Sequence, residues 1–208
     1  MSDQTQQLRD AMTLLGRSLF DRGFSVGSAG NLSARIPGGF LMTPTNSSLG
    51  RLDPEQLSVL NEAWEHVGGE RPSKEVFMHR ALYEARPDAQ AIVHLHSPYV
   101  TAWSCLPEAE TEGLPPLTPY FVMRLGRTVP MVPYHRPGDP AMAAGIRAAG
   151  ELSPGVILAN HGSVVAGSSL HDAANAAEEL EASAQLALLL HGRNPRPLTE
   201  AEIVELGG

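Results

Sequence analysis

Ala91-Ile92-Val93-His94-Leu95-His96-Ser97 decides how the chain is read. Apolar, β-branched residues lead into two histidines with one leucine between them, the pattern of a buried strand carrying a functional pair. Side chains at i and i+2 share a sheet face, so His94 and His96 project together. Two neutral imidazoles converging from a rigid strand are two-thirds of a catalytic zinc site, which takes three protein ligands and keeps one position open. His161 is the third candidate. It stands in Ala159-Asn160-His161-Gly162 directly after the apolar run Val156-Ile157-Leu158, where a second strand ends and the backbone turns. Any one of these histidines alone reads equally well as a hydrogen-bonded core residue. Their joint appearance at the ends of two apolar strands favours a metal, with zinc preferred and manganese, cobalt or iron also accepted by three imidazoles.

Composition bounds the rest. A chain of 208 residues is long enough for a sizeable core and predicts a single domain over 1–208, with a C-terminal tail from about 191. With 15 Lys+Arg against 23 Asp+Glu the net charge is -8, which disfavours a nucleic-acid or anionic-membrane partner. A small anionic substrate stays open, because N–H donors and cations can gather in one pocket. The single Cys105 excludes an internal disulfide framework and suits a reducing compartment. The N-terminus is polar and no apolar run approaches the roughly 18 residues of a membrane span, so the expectation is a soluble cytoplasmic protein.

Leu8, Met12, Leu15 and Leu19 form a helical stripe within about 6–22, stopped by Gly23. The turn from Ser25 to Gly30 precedes a strand and reads either as a plain Gly/Ser turn or as a cradle of N–H groups for an anion. Phe40-Leu41-Met42 predicts a strand leading into the polar Thr43-Pro44-Thr45-Asn46-Ser47-Ser48. Ser73 reads as the N-cap of a helix to about Ala85, which places Lys74 and Glu75 in its first turn. His79, four residues after Glu75, reads as a partner that orients the glutamate or as a satisfied core histidine. The Pro/Glu-rich connection from Leu106 to Pro119 is long for a compact domain, as functional loops often are. Leu170 to Leu190 predicts a long helix, and residues 201–206 a final turn or a frayed end.

Gly30-Asn31-Leu32-Ser33, Thr43-Pro44-Thr45, Pro72-Ser73-Lys74-Glu75, His94-Leu95-His96 and Asn160-His161-Gly162 together resemble, in order and spacing, the class II aldolase/adducin family. The resemblance covers about residues 8–190. It implies a three-layer α/β/α sandwich with a mainly antiparallel central sheet, assembled as a homotetramer with active sites between subunits. It further implies His94, His96 and His161 as metal ligands and Glu75 as catalytic acid/base. A phosphate cradle falls on Gly30, Asn31, Thr45, Asn46, Ser73 and Lys74, and a tyrosine proton donor on Tyr120. The sequence departs from the sugar-phosphate aldolases at Lys74, where they usually carry a second serine, and at Asn46, where they carry a glycine. Residues 42–50, 72–75 and 117–120, and the turn from Tyr134 to Pro140, are similar to the family's 3-oxo-tetronate 4-phosphate decarboxylase subgroup.

What that subgroup implies is loss of carbon dioxide from a β-keto sugar acid phosphate, giving dihydroxyacetone phosphate through a metal-bound enediolate. The metal acts there as a Lewis acid. Arg124 is read either as a receiver of the substrate carboxylate or as a surface charge. The rival readings are an aldolase or epimerase of fuculose- or ribulose-phosphate type using the same metal site, and a non-catalytic scaffold like the adducin head.

Overall fold

The computed structural model describes residues 3–107 and 113–207. Part of the predicted 106–119 connection, residues 108–112, lies outside the described residues. The chain order is α1 (Asp3–Asp21), β1 (Asn31–Ile36), β2 (Gly39–Met42), β3 (Ser58–Asn61), β4 (His66–Gly68), α2 (Val76–Ala85), β5 (Ala91–Leu95) and α3 (Pro98–Trp103). There follow α4 (Pro119–Leu125), β6 (Met131–Val132), α5 (Met142–Leu152), β7 (Gly155–Leu158), β8 (Gly162–Gly167), α6 (Leu170–Leu190) and α7 (Glu200–Glu205). The eight strands form one sheet in the order β4-β3-β2-β1-β5-β8-β7-β6. Every pairing is antiparallel except β6 with β7.

Strand alternation sorts the core into two layers. Ala91, Val93 and Leu95 join Met12, Leu19, Phe121 and Leu180 on the face covered by α1, α3, α4 and α6. Ile92, Val156 and Val164 join Met78, Leu82 and Ile146 on the face covered by α2 and α5. The three-layer α/β/α arrangement with a mainly antiparallel sheet is therefore present. The alanine-rich face of α6 lets that helix lie close to the sheet; a Cβ at Gly167 would meet Ala173 N at 2.2 Å. Instead of fraying, residues 200–205 form a helix, because Thr199 and Glu202 close a reciprocal capping box and Ile203 enters the core.

One boundary differs from expectation. The helix expected to start behind Ser73 begins at Val76. Pro72 bridges Pro44 and Ser73 N–H donates to Thr43 O at 3.3 Å, so residues 72–73 are held extended against 43–44 and cannot turn sooner. Ser73 Oγ instead accepts from Glu75 N–H at 3.2 Å, a local side-chain turn. Glu75 becomes the residue just outside the helix, at φ -93° and ψ 13°. This sparsely populated region is a frequent home of active-site residues.

Candidate metal centre

Strand register brings the three histidines together. β5 pairs β8 with His94 opposite Val164 and Leu95 opposite Ser163, which sets the end of β5 beside the start of β8. β7 and β8 form a tight hairpin with Leu158 opposite Gly162, and His161 lies in its turn. Two backbone positions make the turn possible: Asn160 takes φ 55°, and Gly162 passes so close to β5 that a Cβ would lie 2.2 Å from Leu95 O. A Cβ at Gly30, itself at φ 77°, would meet His94 O at 2.9 Å, so the turn before β1 is fitted against the same strand end.

His94 is wholly buried. Its Nδ1 lies 2.8 Å from Ser163 O, an acceptor without a proton, so Nδ1–H is the donor and Nε2 faces the cluster. His94 Nε2 is 3.0 Å from His96 Nε2 and 3.3 Å from Glu75 Oε2, and His161 Nε2 is 3.5 Å from Glu75 Oε1. Ligand atoms of Glu75, His94, His96 and His161 all lie within 4.8 Å of one another. A tetrahedral ion with bonds of roughly 2.0–2.1 Å needs ligand atoms about 3.4 Å apart, so the donor set fits a divalent metal without large rearrangement. Burial and then the neighbouring His94 and His161 push His96 down to about 3, which keeps its lone pair free. Burial pushes the Glu75 carboxyl up, but hydrogen bonds with His161 and His94, and the Asn31 amide, outweigh it and hold Glu75 well below the usual carboxylate range.

Beside the cluster lies a cavity of about 310 Å³, lined by Glu75, His96, His161, Thr101, Tyr134 and His135 among others. Tyr134 and His135 belong to a turn whose sequence resembles the decarboxylase subgroup without assigning either residue a role. Their place follows from the parallel pairing of β6 with β7, Val132 opposite Leu158, which makes the chain leaving β6 run beside the histidine turn.

The cradle segments converge as well. Thr45 N–H donates to Arg71 O at 2.9 Å, tying the 43–48 loop to the 71–75 turn. Ser47 N–H returns to Pro44 O and Asn46 takes φ 57°, a conformation that glycine enters freely and asparagine tolerates. Asn46 thus fits a position at which the resemblance to the sugar-phosphate aldolases implies glycine. Ser73 is buried, whereas Asn46 and Lys74 face solvent. Asn31 is 4% exposed and its Nδ2–H donates to Glu75 Oε2 at 2.7 Å. His79 does not reach Glu75 itself; it is fully buried and bonds Asn31 Oδ1 and Ser33 Oγ.

Two other residues lie apart from this centre. Tyr120 is 64% exposed on α4 and is not among the residues lining the histidine cavity. Arg124 faces Asp172 at 3.9 Å in a different cavity, as a surface charge would.

With this geometry in place, the family is decided by a match of residues 10–188 to the Class II Aldolase and Adducin N-terminal domain. The chain belongs to the class II aldolase/adducin family. It is 49% identical over 203 residues to the 3-oxo-tetronate 4-phosphate decarboxylase of Escherichia coli O6:H1, covering 97% of this chain and 95% of that one. The crystal structure of YgbL from Escherichia coli superimposes with a TM-score of 0.93 at 47% identity, over 98% of this chain and 99% of the other. An L-fuculose phosphate aldolase of Methanococcus maripaludis is 35% identical over 173 residues, 83% of this chain and 91% of that protein. A cluster that could hold a metal, at the end of the central strands, fits the metal-dependent chemistry of the class II aldolases.

Proposed function

We propose that the chain is a metal-dependent decarboxylase that converts a 3-oxo-tetronate 4-phosphate to dihydroxyacetone phosphate and carbon dioxide. The observation that carries the reading is the convergence of three imidazoles and one carboxylate beside a cavity, at the end of the sheet where the cradle turns meet. Identity of 49% over nearly the whole chain to a decarboxylase of that name supports the choice of substrate.

In this reading His94, His96 and His161 would hold a divalent metal, zinc by preference, which would supply Lewis-acid stabilisation for the charge that passes from the breaking C1–C2 bond to the C3 oxygen. The chain's own groups do the rest. Gly30, Asn31, Thr45, Asn46, Ser73 and Lys74 form the phosphate cradle, in which the Asn31 amide stays on Glu75 and Lys74 adds a positive charge in place of a hydroxyl. Anchoring the phosphate sets C2 against the carboxylate of Glu75. Glu75 lies at the cluster with a side chain 18% exposed, open enough to exchange a proton with solvent, and manages protons at C2 or on its hydroxyl, relaying to C2 the one proton taken up once carbon dioxide has departed. Tyr120, 64% exposed on its own chain, would face a neighbouring subunit's site in a cytoplasmic homotetramer, where its hydroxyl would replenish the single proton that Glu75 passes to C2.

The test is a coupled assay for dihydroxyacetone phosphate with the zinc-loaded protein. It receives 3-oxo-tetronate 4-phosphate of each C2 configuration beside fuculose and ribulose phosphates, with chelator controls. Turnover of the oxo-acid alone, abolished by chelator, is expected. Turnover of a ketose phosphate alone would keep the metal site and replace the decarboxylase with an aldolase.

A further inference from the structure

Behind Glu75 runs an unbroken line of buried polar groups. Asn31 Nδ2 lies 2.7 Å from Glu75 Oε2, and Asn31 Oδ1 lies 2.5 Å from His79 Nε2. His79 Nδ1 lies 2.7 Å from Ser33 Oγ, and Ser33 Oγ lies 3.2 Å from Tyr83 Oη. Asn31, Ser33, His79 and Tyr83 are each no more than 4% exposed. The line is a product of two periodicities. Asn31 and Ser33 are two apart on one face of β1, while His79 and Tyr83 are four apart on one face of α2.

Donor counting gives the line a direction. The Asn31 amide nitrogen can only donate and its oxygen only accept. With the nitrogen on the Glu75 carboxylate, the oxygen faces His79, so His79 Nε2 must carry the proton. The neutral ring then has a bare Nδ1, which takes the Ser33 hydroxyl proton. Ser33 has a single proton, so Tyr83 O–H donates to Ser33 Oγ. Every bond points its hydrogen along one route that ends at Glu75. Reversing the Asn31 amide would set its oxygen against the carboxylate and leave two acceptors facing each other.

We infer that His79 is a positioning residue, which by donating from Nε2 fixes the Asn31 amide so that it presents N–H to Glu75 and holds that carboxylate in its reactive orientation. The inference deepens the role given to Glu75 above and rests on that reading for the reaction followed, but not for the line itself.

Asparagine and glutamine replacements separate the two bonds of the ring. Glutamine places an amide nitrogen near the Nε2 position and can still donate to Asn31; asparagine reaches only as far as Nδ1 and keeps the Ser33 partner alone. His79→Asn is expected to lower kcat by about 10- to 100-fold with KM changed less than about twofold, the range seen when groups behind a metal site are removed. His79→Gln should restore most of that loss, and zinc content should stay equal in all variants. In an Asn31→Ala background, His79→Asn should produce no further fall in kcat, since its effect passes through Asn31. A purely structural histidine would give equal losses for both replacements and additive losses with Asn31→Ala, and either result overturns the inference. A readout free of substrate is the 15N spectrum of the histidine rings in the wild-type chain. His79 is expected neutral with the proton on Nε2, and a proton on Nδ1 refutes the line even where His79→Asn does not fold. If the wild-type enzyme turns over a ketose phosphate and not the oxo-acid, the proposed reaction fails while the same cycle, run on that ketose, still judges His79.

Discussion

Glu181 and Glu75 are both carboxylates drawn largely out of water, and their surroundings differ. Glu181, 6% exposed on α6, accepts from Ser97 Oγ at 2.7 Å and from the Tyr99 and Val100 N–H groups at 2.8 Å each. Those donors are neutral, fixed and sufficient, and they tie α6 to the start of α3, just beyond His96. Glu75 has one such donor, Asn31, while its other neighbours are the His94 and His161 rings. The comparison teaches how to tell a structural buried carboxylate from a working one. The first has its lone pairs filled by groups that hold no lone pair of their own. The second shares space with imidazole nitrogens that can offer lone pairs of their own, and a proton or a metal ion between them reconciles the two.

Breaking the Glu75 side should cost activity and little else. His161→Ala should bring the largest change, with bound zinc and turnover both reduced to a residue, measured by metal analysis beside the assay, while circular dichroism stays that of the wild type. Glu75→Gln should keep the metal and lower turnover by about 10²- to 10⁴-fold, the span of general acid–base catalysis. Unchanged turnover would remove Glu75 from the mechanism. The Glu181 side should show the reverse. Glu181→Gln sets amide hydrogens against the donors at the start of α3 and should destabilise the fold by about 3 kcal/mol in urea titration, with kcat of the folded fraction close to wild type. A Glu181 variant of normal stability and lost activity would dissolve the distinction.

A smaller effect sharpens the same contrast through pH. Burial pushes His79 down to about 3. Its folded value thus lies below the ordinary value near 6.5, so the unfolded chain binds more protons across that window. Stability is fully present above pH 6.5 and is lost as pH falls toward 3, by about 1.4 kcal/mol per unit from this residue. In the metal-free protein His79→Gln should therefore show a shallower decline between pH 6 and 4 than wild type, read as denaturation midpoints.

Much of the centre was legible in the sequence because it follows short-range rules. Period two on β5 places His94 and His96 on one face, and the apolar run before Ala159-Asn160-His161-Gly162 announces a strand and its turn. What stayed hidden depends on partners far along the chain. The start of α2 was displaced by the pairing of 72–73 with 43–44, which no local capping signal reports. Glu181 reads as one polar position in an alanine-rich helix until α3 is laid across it. His135 reaches the cavity only through the parallel β6–β7 pair. His79, which the sequence leaves open between two readings, combines them: it is a satisfied core histidine, and it meets Glu75 through Asn31.

The hairpin β7–β8 bears on how the protein acquires its centre in time. That hairpin is local and can form early, but its histidine meets the other two only when β8 docks against β5, a contact between segments distant in sequence whose closure entropy makes it slow. Ligands that assemble late in folding give a metal little to grip in the transition state. A metal held by this cluster should therefore leave the folding rate nearly unchanged and act by slowing unfolding, so that the loaded protein owes its persistence to a raised exit barrier.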